Sequence, residues 1–172
     1  RIEKLCEETG LTIPNEDMDI NDPTTVAGRG FGISKWYELF TPRQLLALLT
    51  FTKWVRYLNR YINESDISHS VSAYLGLSCD RVNYYNSAFC TWHTTREVIG
   101  GTFGRQAIPM VWDFTEIYPF SDGSGNVEGA LDWIIEVIKN LANTGNPANV
   151  IRTSATELPY PDNFFDAIIT DP

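Results

Sequence analysis

The stretch NFFDAIITDP, residues 163–172, decides how the chain is read. It leaves a turn through two aromatics, passes Asp166, runs through small and β-branched apolar residues, and reaches Asp171 and Pro172. A short apolar run with turn residues on one side and proline on the other has the form of a strand covered on both faces. Upstream, ELPYPDN (157–163) is turn chemistry and ANVIRTSA (148–155) is a second strand-like run. Before these, SDGSGNVEGALDWIIEVIKNLANTGNP (121–147) predicts a capped helix that begins after Gly125 or Asn126 and ends before Gly145. Helix, strand, turn and strand in this order make one slice of an α/β sheet, and ligands of open α/β sheets bind at the carboxyl ends of the strands. Asp171 stands at such an end.

The chain upstream reads mostly as helix. RIEKLCEETG (1–10) predicts a short amphipathic helix stopped by Gly10, and residues 11–34 carry turn chemistry throughout and read as a connector. The GRGFG within it (28–32) reads as a plain turn, because no strand precedes it and no helix start follows. FTPRQLLALLTFTKWVRYLNRYI (40–62) is the best-marked helix: Thr41 caps it, Pro42 takes the first helical position and Gln44 completes a capping box. Leu45, Leu48, Leu49, Thr52 and Val55 share one face of it. Arg43 and Gln44 lie in its first turn, where free N–H groups suit a phosphate or a partner carboxylate, with a satisfied cap as the favoured reading. A second long helix starts near Ser65 or Asp66, with Ile67, Val71, Tyr74, Leu75, Ser78 and Val82 at helical spacing. In REVIGGTFGRQAIPMVWDFTEIYPF (96–120) the glycines and Pro109 argue against a simple helix. Its Trp112, Asp113, Phe114, Glu116 and Tyr118 mix stacking rings with carboxylates, as in pockets for a flat polar ring, although packed loops with solvated acids share that composition.

Composition sets limits on function. The formal charge is −9, from 13 Lys and Arg against 22 Asp and Glu, which argues against a broad phosphate-binding surface. Any contact with nucleic acid is local. Cys6, Cys79 and Cys90 are odd in number and contain no C-x-x-C pair, and His69 and His93 lack a ligand-rich neighbourhood, so no metal site is expected. The apolar runs LLALLTF and WIIEVI fall short of the ~20 residues that cross a bilayer, and Arg1 opens no signal-peptide pattern. A cytoplasmic protein without membrane contact is expected.

Four segments carry a family resemblance: LFTPRQLLALLTF (39–51), FGRQAIPMVWDFTEIYPF (103–120), GNVEGALDWI (125–134) and SATELPYPDNFFDAIITDP (154–172). In this order they resemble the large adenine-specific DNA methylases of zinc-ribbon relationship, a family with members tied to phage defence. NFFDAIITDP looks like the strand that enters the D-P-P-Y motif of amino-methyltransferases, with the chain cut between the two prolines. The likeness runs from about Trp36 to Pro172. It implies S-adenosylmethionine as cofactor, DNA as substrate and the remainder of a methyltransferase chain as partner. It also implies Asp171 and the Pro172 carbonyl as catalytic acceptors of the amine protons. Ser154, Ala155 and Thr156 would meet the adenine end of the methyl donor, although many methyltransferases carry an Asp there. Arg43, Arg105 and Gln106 are the polar residues of the matching segments that would contact DNA, with a structural salt bridge as the other reading. The glycine-rich donor loop of such enzymes is not among these residues, since GGTFG (100–104) lacks its flanking strand and acid.

The resulting expectation is an α/β fragment, mostly helical, ending in a helix-strand-strand piece of a Rossmann-like class I methyltransferase sheet. It divides into an N-terminal helix and loop connector (1–34), a helical module (35–120) and a partial methyltransferase segment (121–172). The parent is expected to methylate an exocyclic amine, adenine N6 foremost with cytosine N4 or an RNA amine also open, and the fragment alone is expected to be inactive. The rival from another class is a non-catalytic helical module for protein interaction or DNA recognition.

Overall fold

Helices α1 (Ile2–Thr9), α2 (Pro42–Tyr57), α3 (Ser65–Tyr84) and α4 (Val127–Leu141) are joined by loops and one small hairpin, β1 (Thr91–His93) with β2 (Val98–Gly100). These elements come from a computed structural model that describes the chain except residues 20, 26–29, 63–64, 105–106, 146–147 and 171–172, and except the side chains at 59 and 65. The architecture of the described residues is mostly helical, with a two-stranded antiparallel sheet.

Three of the four helices show a local cause. Gly10, at φ 68°, takes the left-handed conformation that ends α1, and its N–H donates to the Cys6 carbonyl at 2.8 Å. At the start of α2 the Thr41 hydroxyl accepts the Gln44 N–H at 3.3 Å while Gln44 Oε1 accepts the Thr41 N–H at 2.8 Å. The expected capping box is therefore present, with Pro42 at the first helical position. Asn126 caps α4 by accepting the Gly129 N–H at 2.8 Å. Helix α3 lies between α2 and α4, and α1 lies on α2. Where α3 meets α4, the Arg81 guanidinium sits 4.5 Å from the centroid of the Trp133 ring.

The core consists of two clusters that share Phe40. One gathers Met18, Leu39, Phe89 and Ile108, and the other gathers Leu11, Leu45 and Leu49 against Ile2, Leu5 and Tyr37. Residues 11–34 thus do more than connect: Leu11 and Met18 are buried, and the segment is strapped to residues 34–37. Met18 N–H donates to the Ser34 carbonyl at 2.7 Å, and Tyr37 N–H donates to the Pro14 carbonyl at 3.0 Å. Turn chemistry predicted the shape of this stretch, while its sparse apolar residues carry its packing. Of GRGFG, residues 28 and 29 lie outside the described residues, and Phe31 and Gly32 form a turn.

The hairpin pairs Thr91 with Gly100, Trp92 with Ile99 and His93 with Val98. A buried polar chain seats it on the end of α3. Phe89 N–H donates to Ser87 Oγ at 3.0 Å, Ser87 Oγ lies 2.7 Å from Thr102 Oγ1, and Thr102 Oγ1 donates to the Tyr84 carbonyl at 2.9 Å. With the Thr102 proton engaged by Tyr84, Ser87 is the donor in the middle link. Ser87 and Cys90 are completely buried and Thr102 nearly so.

Residues 148–170 differ from expectation. Neither ANVIRTSA nor FFDAIIT is a strand among the described residues; the segment is irregular and almost wholly exposed. Its rings pack on one another: Tyr160 stacks on Phe164 at 4.9 Å between centroids and meets Phe165 edge-on at 4.7 Å. A strand exists through its ladder partners, and no described residue offers this segment one, so local aromatic contacts set its path. No described helix is long and apolar enough to cross a membrane.

Candidate functional site

The first turn of α2 and the loop 116–120 enclose an open groove of about 690 Å³. Its position follows from local structure. The capping box fixes the start of α2, and the Val127 N–H, donating to the Pro119 carbonyl at 2.9 Å, ties the loop to the start of α4. The Ala88 N–H, donating to the Leu39 carbonyl at 2.8 Å, brings the turn after α3 against the same end of α2.

At the mouth, Arg43 Nη2 lies 2.7 Å from Glu116 Oε2. Glu116 meets the Arg43 side chain and not the free N–H groups of the helix start, and Arg43 forms the structural ion pair that its alternative reading described. Its guanidinium is largely exposed, so the pair contributes little stability and leaves N–H groups facing solvent. Aromatic rings line the walls. Phe51 meets Phe120 at 5.7 Å between centroids, Tyr118 meets Phe120 at 5.8 Å, and Trp54 lies along the same side. Trp54, Tyr118 and Phe120 are each more than half exposed, at 52%, 67% and 66%.

Two polar side chains in the wall stand out. Gln44 and Asn86 are each only 2% exposed, yet Gln44 Nε2 and Asn86 Oδ1 have no hydrogen-bond partner. The orientation of Gln44 is set, because its Oε1 already accepts the Thr41 N–H. A buried amide donor and a buried carbonyl acceptor left unpaired each carry a cost of about 1–3 kcal/mol, so both demand a reason.

The other predicted site residues are dispersed. Asp171, Pro172, Arg105 and Gln106 lie outside the described residues. Ser154, Ala155 and Thr156 sit on an exposed turn, with Ser154 Oγ 2.8 Å from Thr156 Oγ1. Ser154 and Thr156 bond each other, and the three residues form no cradle for a nucleoside on their own. Trp112 is 87% exposed and Asp113 is exposed, so of the ring-and-acid mixture only Glu116 and Tyr118 reach the groove. Phe51, Trp54, Asn86 and Phe120 were not anticipated there. Phe51 and Trp54 stand three residues apart on one face of α2, but nothing in the sequence joins them to Asn86 and Phe120, which reach the groove because the chain folds back on α2.

Electrostatics elsewhere are modest. Glu38 is held below the usual carboxylate range, chiefly by the Ser34 N–H and then by the Lys35 N–H, which it accepts at 2.7 and 3.0 Å. Burial, and then Asp80, push the Cys79 thiol up, away from thiolate chemistry. Among the described residues, no three His, Cys, Asp or Glu side chains are grouped to hold a metal ion.

Compared with known proteins, the chain matches no family model, no curated protein and no solved structure.

Proposed function

We propose that these residues belong to an S-adenosylmethionine-dependent methyltransferase that acts on an exocyclic amine of DNA, adenine N6 foremost. In this reading residues 121–172 are one edge of its Rossmann-like sheet. The observation that carries the reading is an uncovered apolar surface in the order helix, strand-like run, strand-like run. On α4, Trp133, Val137 and Leu141 recur every four residues and are exposed at 58%, 49% and 59%. Beyond it Val150, Ile168 and Ile169 are exposed at 88%, 73% and 96%. Apolar runs of this kind are ordinarily buried, and laying α4 and two parallel strands on neighbouring strands of a sheet would cover all of them.

The chemistry follows from the amine. Its lone pair is delocalised into the ring, which makes the nitrogen a poor nucleophile. A carboxylate at Asp171 and the carbonyl of Pro172 accept hydrogen bonds from its two N–H groups, favour a pyramidal nitrogen and free the lone pair for attack, with one proton leaving the nitrogen once it carries the methyl group. The exposed turn 154–156 does not hold the methyl donor unaided, so no step is assigned to it. In the assembled enzyme that turn would need further chain packed over it.

The test is methyl transfer from labelled S-adenosylmethionine to duplex DNA by the full-length protein, wild type beside Asp171→Ala. Label in N6-methyladenine that disappears in the variant supports the reaction and the role of Asp171. Label unaffected by the substitution, or no transfer by the wild type, overturns the proposal and leaves a helical interaction module.

A further inference from the structure

We infer that the groove along α2 is a docking site for an amphipathic helix of a partner protein, one that carries acidic residues beside its apolar stripe. The groove of about 690 Å³ continues past Phe51 and Trp54 into a second stretch of about 310 Å³, walled by α2, α3 and α4. From α2 and the residues just after it, Gln44, Ala47, Phe51, Trp54, Leu58 and Tyr61 line the two stretches. Their spacing alternates between three and four, which is the heptad spacing of a seam that receives a second helix. Gln44 to Leu58 covers about 21 Å at 1.5 Å per residue, close to four helical turns. Trp54 and Tyr61 are both more than half exposed, so the described residues leave the C-terminal half of the seam uncovered. An open apolar groove of this length, lined at helical spacing, suits a helix laid along it.

Charge along this wall decides the chemistry of the partner. The chain has a formal charge of −9, yet no Asp or Glu stands between Leu39 and Asn63, where Arg43, Lys53, Arg56 and Arg60 all fall. Arg43 is held by Glu116. Lys53 and Arg60 have no carboxylate partner among the described residues and rest instead on rings beside the seam. Lys53 Nζ lies 5.2 Å from the centroid of the Trp54 ring, Arg60 Cζ lies 4.0 Å from that of Tyr57, and the two rings are 6.4 Å apart. Asp or Glu beside the apolar stripe of a docked helix supplies the carboxylates these cations lack, and water excluded by the seam strengthens the pairs. On the facing side Glu128 lines the adjoining part of the groove, so the acidic flank of the partner lies toward α2. Two other occupants fit less well. A second copy meeting the first along α2 would set the same cations against each other. A nucleic-acid strand has the charge, but no aliphatic stripe for walls made of Leu58, Leu75 and Val82. This surface lies apart from the strand-end chemistry proposed above and requires none of it.

The experiment is fluorescence anisotropy of the full-length protein with labelled synthetic peptides of about 18 residues. The first repeats leucine at alternating three- and four-residue spacing with glutamates beside the leucines, the second replaces those glutamates by lysine, and the third scrambles the order of the first. The first is expected to bind at least about tenfold more tightly than either, and its advantage over the lysine peptide should narrow as salt rises to about 0.5 M. Trp54→Ser, at an exposed position within the seam, should weaken the first peptide about tenfold. Lys53→Glu together with Arg60→Glu should reverse the preference between the glutamate and lysine peptides, which a loss of fold would not do. The wild-type peptide series decides the matter even if a variant misfolds. Absence of binding by the first peptide, or equal binding of all three, overturns the inference. So does a mixed-sequence DNA strand that displaces the peptide and is itself lost from the double variant, which assigns the cations to nucleic acid. A dimer in sedimentation that Trp54→Ser dissociates assigns the seam to a second copy and overturns the inference as well.

Discussion

Ser87→Ala should cost more stability than Thr102→Val, although both remove one hydroxyl from the same buried chain. The chain runs from Phe89 N–H through Ser87 and Thr102 hydroxyls to the Tyr84 carbonyl, with links of 3.0, 2.7 and 2.9 Å. Removing Ser87 Oγ leaves the Phe89 N–H with no acceptor in a buried site, and a stranded buried donor costs about 1–3 kcal/mol. The lost middle link raises the expected total to about 2–3 kcal/mol. Removing Thr102 Oγ1 takes away the acceptor of the Ser87 hydroxyl, but Cys90 Sγ, 3.6 Å from Ser87 Oγ, is a weak acceptor in its place. The Tyr84 carbonyl keeps the Thr102 N–H at 2.9 Å, and Ser87 Oγ keeps the Phe89 N–H. Valine also preserves the shape, so about 1 kcal/mol is expected there. Urea unfolding of wild type, both single variants and the double variant reads these values from the midpoints, with unchanged slope if only stability has moved. The double variant should cost less than the sum of the singles, because the Ser87–Thr102 bond is lost in each. A Thr102→Val cost equal to or above that of Ser87→Ala would refute the assignment of Ser87 as the link that satisfies Phe89.

Two further expectations follow from backbone strain and from titration. Gly125→Ala should destabilise the protein by more than Gly10→Ala, both measured by thermal unfolding. Each glycine has positive φ, 83° and 68°, which costs alanine about 1–2 kcal/mol, but a Cβ at 125 also comes within 2.9 Å of Ile99 Cγ2 and of Tyr85 Cβ, whereas one at 10 meets open space. Equal losses would mean that the hairpin and the end of α3 give way to the new methyl group. Glu38→Gln should flatten the acid limb of the stability profile. The folded carboxylate has a depressed pKa, so its contribution is present above the ordinary glutamate value of about 4.3 and fades as pH falls below it. Melting temperatures between about pH 6 and pH 3 should fall more steeply for wild type than for the variant, and parallel slopes would remove Glu38 from the account.

The elements that could be read in the sequence are those specified by contacts three or four residues apart. The Thr41 and Gln44 box, the Asn126 cap and the Gly10 stop all act within one helical turn, so their residue types alone locate α2, α4 and the end of α1. Residues 11–34 were harder, because Leu11 and Met18 are isolated apolar residues in a stretch otherwise made of turn formers. Their burial depends on 34–37 returning to pair with them, and no local pattern encodes that return. The two expected strands mark the opposite failure. FFDAIIT has the composition of a sheet interior, yet strand structure belongs to a pair of segments and cannot be realised by one.

The groove shows the same division on the scale of a site. Arg43, Glu116 and Tyr118 stood out in the sequence as charges and rings in unusual company and Gln44 as a capping residue, and the fold brings all four to the groove. Asn86 did not, since an asparagine after a helix is an ordinary turn residue until its carbonyl is found buried and unpaired. That pairing changes the meaning of Gln44 as well. Its carbonyl oxygen serves the helix cap, while its amide nitrogen is closed to solvent and has no partner among the described residues. Because the cap fixes the amide, turning the side chain over cannot relieve the unpaired nitrogen without giving up the Thr41 bond, so the start of α2 is held at the cost of one unsatisfied buried donor.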